Sequence, residues 1–138
     1  VPTFAHGRAT IFKVESAATV LTDISNTLKE VNFPREVDTP ETTAFGSTTR
    51  SYVVGFINAT FSVSGMYDPT VDALLNGILG FATARNFEYG PVGSTSTNPK
   101  YTGACYLTNY TDTGSVTDMV GMSADFQVTG AVTRGAYP

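Results

Sequence analysis

The sequence holds one cysteine, one histidine and no tryptophan, and only 14% of its residues carry a charge. Each shortage closes off a class of function. With Cys105 alone, no disulfide forms within the chain and no cysteine-based zinc site can be assembled, which fits folding in a reducing cytoplasm. In that compartment the sequons at Asn58 and Asn109 meet no glycosylation machinery. His6 is the lone imidazole, and no G-x-S-x-G elbow frames any serine. No phosphate-cradling glycine loop or dinucleotide fingerprint occurs either, so the residues offer no catalytic set and call for no cofactor. The start, "VPTFAHGRAT", lacks the basic stretch and apolar core of a secretory signal, and no apolar run approaches the length of a bilayer span. A soluble protein with no membrane partner is expected. Lys and Arg number 8 against 12 acids, a net charge of −4, and this argues against gripping a phosphate backbone.

What is present favours strands. Gly, Thr, Ser, Val and aromatic residues dominate, and 138 residues suit one domain, taken as 1–138. The clearest pattern is a repeated phrase: "NATFSVSG" at Asn58–Gly65 and "SADFQVTG" at Ser123–Gly130. The shared letters fall at every second position: Ala59 with Ala124, Phe61 with Phe126, Val63 with Val128, Gly65 with Gly130. In an extended strand these share one face. The opposite face carries Asn58, Thr60, Ser62 and Ser64 in one copy and Ser123, Asp125, Gln127 and Thr129 in the other, which predicts a wetted surface.

Further strands are expected from Arg8 to Glu15, with residues suited to burial on both faces, and near "TARNFEYG". "TLKEVNF" reads as a short or edge strand, and the run after Gly55 as a long strand or a hairpin with a bulge near that glycine. In "GACYLTNY" the side holding Cys105, Leu107 and Asn109 competes with that of Ala104, Tyr106, Thr108 and Tyr110, and periodicity does not choose between them. "GPVGSTSTNP" reads as an exposed loop. One helix is expected, with Asp68 as N-cap, Pro69 in the first turn, an apolar stripe of Val71, Leu74, Leu75, Ile78 and Leu79, and Gly80 closing it. That stripe must cover a sheet face. Pro34 to Thr49 shows no periodicity, and loops of this length are functional or disordered. Its acids Glu36, Asp38 and Glu41 lack the glycine-centred loop of a calcium site, so solvated charges or contacts to a neighbour's bases are favoured over a metal. Phe45, set among polar residues, needs a surface, either in its own domain or on a neighbour.

Taken in order, the "DIS" element, "FPREVDTPETTAFG", "TFSVSG" and the closing "SADFQVTGAVT" resemble the major tail tube protein of long-tailed bacteriophages, over roughly Arg8 to Arg134. The resemblance implies a mainly β fold, a β-sandwich or partial barrel with one flanking helix and a long loop. It also implies a structural virion protein, not an enzyme, whose partners are itself in stacked hexameric rings, other tail proteins, and phage DNA passing through without specific binding. Its place would be the virion tail, assembled in the bacterial host cytoplasm. On this reading Pro34, Arg35, Glu36, Asp38, Glu41 and Phe45 belong to a loop reaching a neighbouring subunit, the eight polar-face residues line the lumen, and both termini order on assembly. The alternative is a β-sandwich carbohydrate-binding or adhesion module, for which the absence of tryptophan is unfavourable.

Overall fold

The structure is a computed structural model that describes residues 7–17 and 20–138; His6 and the start of the chain lie outside the described residues. Strands run β1 Ile11–Ala17, β2 Val20–Asp23, β3 Leu28–Asn32, β4 Arg35–Val37, β5 Ile57–Met66, β6 Arg85–Gly90, β7 Pro99–Thr113 and β8 Gly121–Ala136, with helix α1 at Pro69–Ile78. They form one antiparallel sheet in the order β2-β1-β6-β7-β8-β5-β3, with β4 also on β5.

The sheet curls. β1 and β5 stand four strand spacings apart, about 19 Å if flat, yet the Phe12 and Phe61 rings lie 5.1 Å apart. Phe87 from β6 meets Phe61 at 4.6 Å and Phe126 from β8 meets Phe12 at 5.6 Å, so four phenylalanines from four strands meet inside one half-barrel. Phe33, in the link from β3 to β4, stacks flat on Phe61 at 4.1 Å and closes one end. Helix α1 closes the other, with Val71, Leu75 and Ile78 buried and Leu74 packed at the margin. Asp68 accepts a hydrogen bond from the Thr70 N–H and Pro69 occupies the first turn. The expected stripe is one residue too long. Leu79 is the C-cap, its ψ of 122° leaves the helix, and Gly80 follows at φ 74°, so Leu79 turns outward and is 42% exposed.

The two copies of the repeated phrase are immediate neighbours. β5 pairs with β8 so that Phe61 faces Phe126 and Val63 faces Ala124, all inside, while Ser62 faces Asp125 and Ser64 faces Ser123 outside. The matching glycines serve different ends. A Cβ on Gly65 would meet the Thr27 carbonyl oxygen at 2.0 Å, whereas Gly130 takes φ 79° where the β7–β8 register shifts. A second shift explains the ambiguity in β7. Between Leu107 and Asn109 the register slips, so Cys105 and Leu107 point into the core, whereas beyond the slip Tyr110 packs inward and Asn109 lies opposite Asp125.

Candidate functional site: a polar face, a projecting arm and two open edges

The face turned away from the core is a polar ladder across four strands. Asp125 accepts hydrogen bonds from the Ser62 hydroxyl at 2.9 Å and from the Asn109 side-chain amide at 3.2 Å. The Gln127 amide donates to the Asn58 Oδ1 at 2.8 Å and to the Ala59 carbonyl at 3.2 Å. Thr60 lies opposite Gln127, Glu30 opposite Ser64, and Asn32 opposite Ser62. Asn58, Ser123 and Thr129 are exposed, while Thr60, Ser62, Ser64, Asp125 and Gln127 are half-buried by one another. None of these positions carries a lysine or arginine. The ladder is therefore fixed in shape by its cross-strand bonds and is neutral to acidic in charge.

Pro34 to Thr49 departs from an aperiodic loop: together with the residues before Ile57 it forms an extended two-stranded arm. Arg35, Glu36 and Val37 pair with Ala59, Asn58 and Ile57. The ladder continues through Asp38 N–H to the Phe56 carbonyl at 2.9 Å, Val53 N–H to Pro40 at 3.1 Å, a Glu41–Tyr52 bridge, and Thr42 N–H to Ser51 at 2.7 Å. Gly55 and Phe56 together face Asp38, two residues against one, which is the bulge expected at this glycine. Threonines and prolines masked the strand pattern because the arm has no buried side to impose alternation. Phe45 at the tip is 109% exposed, Phe56 88% and Ile57 78%. Among the described residues Glu41 has a loose contact to Arg50, at 4.0 Å, and Glu36 and Asp38 make no ion pair. The three acids are strung along the arm, and no group of three or more metal-ligating side chains exists among the described residues.

Among the described residues the polar face has an open edge on each side, and the sheet's other terminal strand, β2, pairs only with β1. β3 ends the sheet on one side. On the other, β6 covers β7 only as far as Cys105, and beyond the single bridge from Leu79 to Leu107 the outer edge of Thr108–Thr113 has no partner strand among the described residues. Open edges of this kind invite pairing with another chain. At the far end of the same pair, the 114–120 turn presents Val116 and Met119 to solvent.

Two clusters escaped sequence reading. The carboxyl end is anchored without any partner subunit: Tyr137 is buried, its N–H donates to the Asn98 carbonyl, its carbonyl accepts from Thr97 N–H, and its hydroxyl donates to Glu88. Burial first, and Glu88 second, push the Tyr137 hydroxyl up to about 12. Glu88 also holds Lys13 at 3.5 Å and Lys100 at 4.0 Å. The expectation that "RGAYP" orders only on assembly therefore fails, because one aromatic finds a slot beside Gly90. At the base of the arm, Arg35 lies over the Phe33 and Tyr101 rings at 4.6 and 5.1 Å. Hydrogen bonding from Arg35, then from Arg134, holds the Tyr101 hydroxyl below its ordinary range.

No protein-family model matches the chain, and neither does any curated protein. Solved structures do. A chain in the tail of an empty gene transfer agent particle with C6 symmetry superimposes with a TM-score of 0.83 at 16% identity, covering 96% of this chain and 100% of that one. The SPP1 tail tube gives 0.76 at 12% identity, covering 96% and 79%. The sheath–tube complex of an extracellular contractile injection system gives 0.72 at 14% identity, covering 99% and 94%. The chain has the fold found in phage tail tubes and related injection machines.

Proposed function

We propose that this chain is a non-enzymatic tail tube subunit that closes into six-membered rings, which stack into the hollow conduit for phage DNA. The observation that carries the reading is the four-stranded polar surface of β3, β5, β8 and β7, open at both edges. Joining the β3 edge of one copy to the Thr108–Thr113 edge of the next continues the polar surface with the same face inward, and six such joins close that four-stranded surface into a ring with β2 outside the closure. Asn58, Thr60, Ser62, Ser64, Ser123, Asp125, Gln127 and Thr129 would then line the channel. Eight channel positions without a base, fixed by bonds such as Ser62 to Asp125, would give DNA little to bind.

The arm supports the same reading from another side. Apolar side chains as exposed as Phe45 and Phe56 on a two-stranded projection have no core to stabilise them, so a neighbouring copy in the ring or the next ring completes their packing. Other tail proteins would cap the two ends of the tube, and the assembled protein would reside in the virion tail after assembly in the host cytoplasm. Negative-stain electron microscopy of the purified chain across a concentration series tests this. Tubes or six-membered rings with a stain-filled channel are expected. A monomer at every concentration, above all one that binds a saccharide, would overturn it.

A further inference from the structure

Beside the base of the arm lies a groove of about 320 Å³ between β4–β5 and the β7–β8 pair. Ile57, Val128 and Val132 supply apolar walls, and Arg35, Tyr101 and Arg134 stand around them. Its size is near the lower end for pockets that take an organic group, enough for one aromatic side chain with charged neighbours. Neither arginine makes an ion pair among the described residues, where the ion pairs join Glu88 to Lys13 and Lys100, and Glu41 to Arg50. Arg35 spends one flat face on Phe33 and Tyr101, which holds it in place and leaves its N–H groups free of carboxylate. The groove is thus an apolar slot with two uncommitted positive charges at its mouth.

The same chain carries the complement. Residues 36–54 contain Glu36, Asp38 and Glu41 against Arg50 alone, and the tip presents Phe45 wholly to solvent. Acidic charge and an exposed ring on one element match basic charge and an apolar slot on another. The arm cannot serve its own groove. It leaves the body at Arg35 and Ile57, which flank the groove, and Phe45 lies ten residues beyond Arg35, roughly 30 Å along an extended strand. The ladder through Asp38, Pro40 and Thr42 forbids a fold back while the arm stays intact.

Resting on the proposed tube, we infer that the groove walled by Arg35, Tyr101 and Arg134 is the receptor for the arm tip of a second copy, with Phe45 seated between the walls and Glu41 against the arginines. The contact is heterologous, arm to groove, so each copy gives one and receives one, as ring or tube growth requires. Tyr101 lies beneath the Arg35 guanidinium at 5.1 Å and lines the same groove as Arg134, so both charges stand at the slot that the incoming carboxylate would approach.

Two measurements on the full chain test it. First, Ala44→Cys and Ala131→Cys proteins, mixed in equal amounts and allowed to assemble, are oxidised gently. A disulfide-linked heterodimer is expected in the mixture and in neither protein alone; Cys105 is buried, with its thiol pushed up to about 12, and does not compete. Second, Arg134→Glu is expected to raise the concentration needed for polymerisation by about tenfold or more while leaving the monomer's circular dichroism unchanged, and Glu41→Arg in the same chain is expected to recover much of the loss. Wild-type tubes with no cross-link, or with Arg134→Glu assembling as well as wild type, would overturn the receptor while leaving the tube reading intact. Cross-linking of Ala131→Cys to Thr3→Cys in place of Ala44→Cys would give the groove to the amino-terminal segment and overturn it too. Should a cysteine block assembly, the charge pair decides: no recovery in the double variant sinks the inference. A wild-type chain that never polymerises overturns both readings.

Discussion

Single side chains in this protein carry unequal loads. Phe61 touches Phe12, Phe33, Phe87 and Tyr89, so it joins β1, the β3–β4 link and β6 in one contact set. Truncating such a ring removes its transfer free energy and leaves a cavity that four neighbouring rings cannot all collapse into. Phe61→Ala is expected to cost about 3–5 kcal/mol, read as a shift of the urea midpoint without a change in slope. Tyr137 carries a pH dependence of definite sign. Its hydroxyl is raised from 10.0 to about 12 by burial and by Glu88, so the folded state holds the neutral phenol more tightly than the unfolded state does. The stabilisation is present below pH 10 and is lost as pH climbs from there toward 12. Tyr137→Phe should lower near-neutral stability by about 0.5–1.5 kcal/mol through the lost hydrogen bond to Glu88 and flatten the alkaline loss, with the phenolate absorbance of the wild type assigning the late-titrating tyrosine. Equal alkaline loss in both proteins would refute the assignment. These residue-level facts divided sharply in legibility. Phe61 and Phe126 were readable because alternation marks a buried face, whereas the slot for Tyr137 depends on Gly90 and Glu88, contacts across the sheet that leave no local periodic trace.

At the level of elements, strands with one buried face were legible and elements without one were not. β5 and β8 announced themselves by a two-residue period, and α1 by its cap, its proline and its stripe; only Leu79 was misplaced, because Gly80 ends the helix one residue earlier than the stripe suggests. The arm has the sequence of a loop because both its faces meet solvent and nothing selects apolar residues at alternate positions. β7 stayed undecided because the slip between Leu107 and Asn109 exchanges its faces midway. The arm also yields a clean separation of folding from assembly. Phe45 contacts no core, so Phe45→Ala is expected to leave thermal stability within about 0.5 kcal/mol of the wild type while abolishing tube formation, measured by calorimetry and sedimentation on the same sample. Unfolding of the monomer instead would place Phe45 in its own core.

For the whole molecule, the decisive property is which way the polar ladder faces once copies associate, and charge is the handle on it. Asp125 is held by Ser62 and Asn109 on the polar face, so in the proposed six-membered ring a base installed there would change the field of the lumen six times without touching the core. Asp125→Lys gives up two hydrogen bonds to a half-exposed carboxylate, a cost of about 1–3 kcal/mol that a folded domain of this size tolerates. A lysine stem at a half-exposed position can lie along the sheet and carry its ammonium into water. Tubes of normal diameter are therefore expected, while DNA passage slows as a ring of ammonium groups holds the phosphate backbone, and the defect should shrink as salt rises because the attraction is screened. Tube counts by electron microscopy and DNA release from particles at two ionic strengths separate the two effects. Normal tubes with unimpaired release would put Asp125 on the outside of the assembly, and the ladder with it.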